Sequence, residues 1–324
     1  MGNVRHCCAA FAAVLSLVCA QAIAQTYPSK TLRLIAPFPP GGSSDVLSRL
    51  LAQRLTDTLG RQVVVENRPG AGSNLGHEVA AKAPADGYTM LLSNNVALAT
   101  NRHLYKRLGF DPDNDFAPIS IVARAGPVLV VHPSIPARSV SELIALAKAR
   151  PGQLNFGSGG RGTPAHVAGE ILKSAARISI VHVPYKGGIL AVNDTLGGQI
   201  EMMFSDMVPA VPHIKTGRLR ALAVATPERS AILPDVPTLA QAGVKQPVPE
   251  TWWALVVPKG TPEAAIARIN SDLGKIMQIP EVQERYATMG IFTMHTTPAQ
   301  VTEKVKIDSI QIGQALKAAG VQLE

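Results

Sequence analysis

Two stretches of this chain hold the residue types that can bind an anion without a charged side chain. The first is LRLIAPFPPGGSSDVLSRLLAQRLTDTL, residues 32–59. Leu32, Leu34 and Ile35 make a short apolar run of the kind found in a buried parallel strand. Pro37, Pro39 and Pro40 end that run, and Gly41-Gly42 permit positive φ and the close approach of another group. Ser43 or Ser44 is then placed to cap a helix, whose apolar stripe is Val46, Leu47, Leu50, Leu51, Leu55 and Leu59. A helix start presents unpaired N–H groups and a positive charge of about half a unit, so glycines in front of it let an anion rest on bare backbone. Taken alone, the pattern describes an ordinary capped turn equally well. Residues 153–175, QLNFGSGGRGTPAHVAGEILKSA, repeat it: a short strand, a glycine loop, Thr163 as the cap and Pro164 at the first helical position. Two such units predict two similar lobes, each offering a helix start to one cleft.

Catalytic chemistry finds less support. Gly157-x-Gly159-x-x-Gly162 matches a dinucleotide fingerprint between a strand and a helix, but the next strand, SIVHVPYKG, ends without the acid that would hold a ribose. There is no G-x-x-x-x-G-K-[ST], no H-E-x-x-H and no G-x-S-x-G. His77, His103, His132, His166, His182, His213 and His295 lack metal-ligand spacing. The reading is therefore of a protein that is not an enzyme, with no cofactor and no metal.

Composition sets the compartment and the partners. Arg5, the apolar run Ala9 to Ala20 and Ala22-Ile23-Ala24 describe a signal peptide cleaved after Ala24, which predicts export to the periplasm. A lipid anchor through Cys19 is the weaker reading, because bulky Val18 stands where lipoprotein signals carry a small residue. All three cysteines, Cys7, Cys8 and Cys19, lie in that signal, so the mature chain must stand on a full-sized core without disulfides. The formal net charge of +8 drops by one when Arg5 is removed. With no run of Lys/Arg and little aromatic interleaving, nucleic acid is not an expected partner. A small anion fits the modest positive field better.

The remaining elements follow in order. QVVVE (62–66) is a strand, RPGAGSNLG (68–76) a third glycine loop before a helix through Lys82, and Tyr88 to Leu92 a strand ending at Ser93-Asn94-Asn95. Alternating strands and helices predict an open α/β lobe with its ligand beyond the carboxyl ends of the strands. GFDPDNDFAPIS (109–120) is turn-rich and precedes Val128 to Val131, a strand placed to cross into the second lobe. That lobe would hold a helix at 139–149, the glycine unit, a strand at 178–183, the turn PYKGG (184–188) with a helix behind it, and strands at 201–204 and 219–225. Proline-rich residues 226–251 lead back to Trp252–Val257, whose two tryptophans alternate faces, so that one packs in the hinge and the other walls the cleft. Thr261-Pro262-Glu263 and the capping box Thr297-Pro298-Ala299-Gln300 start helices. The fold class is thus a two-lobed clamshell of two open α/β lobes joined by two hinge strands, with lobe 1 at 25–125 and 251–324 and lobe 2 at 126–250.

APFPPGGSSD (36–45), ENRPGAGSNLG (66–76), ADGYTMLLSN (85–94), GSGGRGTPAHVAGE (157–170), VPYKGG (183–188) and LPDVPTLAQAG (233–243) together resemble the extracytoplasmic solute receptors of tripartite tricarboxylate transporters, the Bug family of Bordetella and its relatives. The resemblance covers essentially the whole mature chain. It implies a type II periplasmic binding protein, expected to be a monomer, that holds a small organic carboxylate between its lobes and passes it to a large and a small integral-membrane permease subunit. A carboxylate-sensing signalling subunit would share this fold. The resemblance makes Gly41, Gly42, Ser43 and Ser44 donors to a ligand carboxylate, with Asp45 either a ligand contact or a compensator of the helix dipole. Ser93 and Asn94 are strand-end donors, and Ser158, Gly159, Gly162 and Thr163 close from the other lobe. His166 in the first helical turn, Tyr185 and Lys186 at the pocket edge, and Asp206 at a strand end complete the set. Arg161 and Thr163 depart from the family pattern, where a small polar residue and serine are usual. Arg161 is either a bidentate partner for a second carboxylate or a solvated side chain at the rim.

Overall fold

The computed structural model describes residues 27–246 and 248–318. The signal peptide expected before Gln25 lies outside them. Two sheets share the strands. The first runs in the order β11-β4-β10-β3-β1-β2, from β1 (Leu32–Ala36), β2 (Val63–Asn67), β3 (Thr89–Asn94), β4 (Phe116–Ala125), β10 (Thr251–Pro258) and β11 (Phe292–Thr293). β1 pairs in parallel with β2 and β3, while β10 runs antiparallel between β3 and β4. The second sheet runs β7-β6-β8-β5-β9, from β5 (Val128–Val131), β6 (Asn155–Ser158), β7 (Val181–Pro184), β8 (Met202–Ser205) and β9 (Arg220–Val224). Each sheet with its helices is one lobe of a two-lobed α/β protein.

Both sheets are covered on both faces. In the first lobe all eight residues of β10 are buried. Trp253, Leu255 and Val257 face Leu47, Leu51 and Leu55 of α1 (Ser43–Leu59) and Ile269 and Leu273 of α7 (Glu263–Ile276). Trp252, Ala254 and Val256 face the opposite layer, which holds Ala80 of α2 (Asn74–Ala81) and Val301 of α9 (Pro298–Ala318). The two tryptophans therefore do point to opposite faces, the period-two geometry of a strand. In the second lobe Phe156, Met202 and Phe204 pack with α3 (Val140–Ala149) and α4 (Pro164–Ala176). On the other side, Val128, Val130 and Met203 pack with α5 (Gly188–Leu196) and α6 (Met207–Lys215). A short helix α8 (Pro280–Ala287) completes the first lobe.

Within the turn-rich segment 109–120, β4 begins at Phe116. Pro118 argues against a strand in sequence terms, since it cannot donate to a ladder. Here the β10–β4 register shifts next to its partner Val256, and the irregularity accommodates the missing donor. The capping box at the start of α9 closes in both directions: Thr297 N–H donates to Gln300 Oε1 (2.8 Å) and Gln300 N–H to Thr297 Oγ1 (3.3 Å).

The chain crosses between the sheets twice, through Gly126-Pro127 and through residues 225–250. At Gly126 the two crossings touch: a Cβ there would lie 2.2 Å from Thr226 Cγ2, so only glycine lets them run side by side.

Candidate ligand-binding site

A cavity of about 60 Å³ lies where the two lobes meet. Four helix starts converge on it: Gly42, Ser43 and Ser44 at α1, Thr163, Pro164 and Ala165 at α4, Gly188 and Ile189 at α5, and Asp206 before α6. Asn94 and Val96 enter from the end of β3, Thr251 and Trp253 from β10, and Phe38, Pro39, Met203 and Phe204 supply apolar wall. The first N–H groups of a helix lack intrahelical acceptors, so these starts aim donors and partial positive charge at one small volume.

The loop into α1 differs in detail from the expectation. Gly42, not Ser43 or Ser44, is the N-cap, with φ −81° and no side-chain cap. Positive φ is confined to Gly41 (81°). Freed from capping, the serines turn inward and across: Ser43 Oγ donates to Asp206 Oδ2 (3.0 Å) and Ser44 Oγ accepts from Trp253 Nε1 (3.1 Å). Asp45 does not line the cavity. It is buried, accepts from Gly41 N–H (3.0 Å) and Asn67 Nδ2 (3.0 Å), and pairs with Arg49, so it braces the loop from behind. Burial pushes its carboxyl up, but the Arg49, Gly41 and Asn67 hydrogen bonds outweigh that and hold it below the usual range.

Ser93 and Asn94 lie inside β3, and their side chains part company. Asn94 faces the cavity, whereas Ser93 Oγ sits 2.7 Å from Nε2 of the fully buried His77. The carbonyl of Ser73 can only accept, so His77 Nδ1 carries the proton and Ser93 donates to Nε2. Burial lowers the pKa of His77 to about 4, which keeps the ring neutral.

In the second lobe Thr163 caps α4 as expected, accepting from His166 N–H (3.4 Å), with Pro164 behind it. Gly159 lines the cavity and approaches α5 so closely that a Cβ would lie 2.8 Å from Gly188 N. Gly162, with φ 78°, reaches across to the first lobe, where a Cβ would lie 2.2 Å from Leu104 Cδ1. Ser158 and His166 are turned inward, away from the cavity. Ser158 Oγ bonds to the backbone of Gly160 and lies 2.7 Å from His182 Nε2, and His166 Nδ1 accepts from Gly162 N–H (3.1 Å). The two imidazoles lie 4.2 Å apart between ring centres. Burial, then His166, Arg161 and Lys173, bring the pKa of His182 down to about 3.

Tyr185, Lys186 and Arg161 do not line the cavity. Tyr185 donates to Asp194 Oδ2 (2.6 Å), and burial with that carboxylate pushes its hydroxyl up to about 12. Lys186 and Arg161 are exposed.

Asp206 sits at the junction of the lobes. Besides Ser43, Thr251 Oγ1 points at its Oδ1 from 3.5 Å, so both hydroxyls come from the first lobe to an acid of the second. Burial pushes its carboxyl above the usual range, against the pull of these two hydroxyls. Its partial exposure is to the cavity it lines.

Gly188, Ile189 and Thr251 also line the cavity, although no anion-binding role was expected of them. Gly187-Gly188 before the α5 stripe repeats the Gly41-Gly42 signal, and only its apparent role as a plain turn concealed it. Thr251 had no signal, because its role depends on Asp206, 45 residues away in sequence.

A family model, the tripartite tricarboxylate transporter family receptor, matches residues 47–320. The chain belongs to this receptor family. BugT of Bordetella pertussis is 39% identical to it over 91% of this chain and 90% of its own length. Among solved structures, Rpa4515 of R. palustris with adipate superposes with a TM-score of 0.90 at 31% identity, covering 92% of this chain and 100% of its own. MatC of Rhodopseudomonas palustris with bound malate gives 0.85 at 26%, covering 90% and 100%. As a tripartite-transporter receptor the protein belongs with solute-binding proteins and not with enzymes, in agreement with the absence of a catalytic motif.

Proposed function

We propose that this receptor works in the periplasm, captures a small organic carboxylate in the cavity between its lobes, and delivers it to the large and small membrane subunits of a tripartite transporter. The observation that carries this reading is the convergence of helix starts from both lobes on one small cavity. Such starts favour an anion, and they come from both lobes. The adipate and malate held by the two similar structures agree with it. Closure about the crossings at 126–127 and 225–250 would bring α4 and α5 against α1, and the first-lobe hydroxyls of Ser43 and Thr251 against Asp206. Export with cleavage after Ala24 belongs to the same proposal, and intact-mass measurement of periplasmic protein should give a chain beginning at Gln25 without lipid.

The test is a thermal-shift screen of the mature protein against a carboxylate library and matched neutral amides. A ligand at about 100 times its dissociation constant adds about 2.7 kcal/mol of stability. Silence of every acid in the library would sink the reading.

A further inference from the structure

The lining of the cavity carries a charge of the same sign as a carboxylate. Among the described residues that line it there is no arginine, lysine or histidine, and the one ionisable group is an acid, Asp206. Several charged groups on neighbouring elements have partners of their own. Asp45 pairs with Arg49 on α1, Asp194 accepts from Tyr185 on α5, and Arg124 pairs with Glu250 beside Thr251. His213 and Lys215 stand at the far end of α6.

We propose that Asp206 recognises a cationic group of the ligand, and that the ligand is a small α-amino acid with an apolar side chain. This rests on the carboxylate-receptor reading and narrows it. A buried carboxylate is stable when paired with a cation, yet among the described residues the Asp206 carboxylate meets only the hydroxyls of Ser43 (3.0 Å) and Thr251 (3.5 Å). Its remaining surface opens on the cavity. An ammonium placed there supplies the missing partner and reverses the upward push that burial exerts on the acid. The ligand carboxylate goes to the starts of α1, α4 and α5, away from Asp206, whose side chain stands before α6 without capping it. Two ionised carboxylates side by side repel, so a plain mono- or dicarboxylate meets a like charge that an amino acid converts into an attraction. The third wall is apolar, with Phe38, Val96, Ile189, Met203, Phe204 and Trp253, and it suits a hydrocarbon side chain. A cavity of about 60 Å³ keeps that side chain small.

The experiment is calorimetry of the mature protein with matched pairs that differ only in the amino group: L-alanine and propionate, L-valine and 3-methylbutanoate, L-phenylalanine and 3-phenylpropanoate, with succinate as a dianion. The expected result is that L-alanine or L-valine binds at least tenfold more tightly than its des-amino partner and than succinate, and more tightly than L-phenylalanine. Asp206→Asn should weaken that amino acid at least tenfold while leaving the des-amino acid unchanged or improved. The melting curve of unliganded Asp206→Asn checks its folding. If that variant does not fold, the wild-type pair ratios decide alone, with Thr251→Val as a milder second variant that should narrow the ratio. Pairs that bind alike, a plain acid or succinate that outbinds every amino acid, or no binding by any amino acid overturns the assignment. Proton uptake with a plain acid would mean that Asp206 meets the ligand in its protonated form, which also overturns it. None of these results touches the carboxylate-receptor reading, which falls only if the whole acid library is silent.

Discussion

The loop into α1 reaches the cavity with side chains, and the loop into α4 reaches it with backbone. In the first, an N-cap glycine leaves Ser43 and Ser44 free to bond to Asp206 and Trp253. In the second, the Thr163 hydroxyl is spent on capping and that of Ser158 on its own loop, so the cavity meets Gly159, the body of Thr163 and the first turn of the helix. The supports differ in the same way. An ion pair, Asp45–Arg49, braces the first loop, whereas steric fit at Gly159 and Gly162 holds the second. One local plan thus serves two roles, and what separates them is whether the capping position carries a hydroxyl.

The contrast can be broken at four points. Asp45→Ala should have the largest effect, because it strands the donors of Gly41 and Asn67 behind the loop. We expect about 2–4 kcal/mol of lost stability in chemical denaturation. The same group predicts a pH dependence. Its folded pKa lies below its unfolded one, so its contribution is complete above about pH 4 and is lost as pH falls through the lower folded value. Wild type should therefore lose more stability than Asp45→Asn on acidification in that window. Equal acid profiles would remove Asp45 as the brace.

Gly162→Ala comes next, at about 1–3 kcal/mol for a side chain at positive φ. Because its Cβ would meet Leu104 of the other lobe, it should also oppose closure. Small-angle scattering should show a more open protein than wild type, and an unchanged radius would mean that the contact yields.

Gly41→Ala should cost about 1–2 kcal/mol, since its φ of 81° is left-handed. Gly42→Ala, in an extended conformation with its nearest neighbour, Pro39 O, at 3.5 Å, should cost less than about 1 kcal/mol. Paired unfolding curves in which Gly42→Ala is the worse of the two would reverse the assignment of the strained position.

Thr163→Ala removes one cap and should cost about 1 kcal/mol. The corresponding change in the first loop, Ser43→Ala, removes no cap, so the melting temperature should fall in the former and its lobe-closing hydrogen bond should be lost in the latter.

Some of this protein was legible in its residues alone. The helix starts at Thr163-Pro164 and Thr297–Gln300, the alternation of Trp252 and Trp253 and most strand positions depend on contacts within a few residues or on a repeat of two or 3.6. Those are properties of the local chain, so the sequence carries them directly. The family and the clamshell plan followed from several such units in a fixed order.

Tertiary structure decided which way the polar groups face. Ser43 meets Asp206 across 163 residues, and Ser44 accepts from Trp253 across 209. Ser93 turns to His77 while its neighbour Asn94 turns to the cavity. A hydroxyl can cap, brace or face a ligand at similar local cost, so the choice falls to whatever partner packing brings within 3 Å or so. The same holds for β4, where Pro118 reads as a break until the shifted register beside β10 makes room for it. Local rules placed the helix starts, and only the meeting of the two lobes surrounded Asp206 with hydroxyls and apolar walls and, among the described residues, no cation.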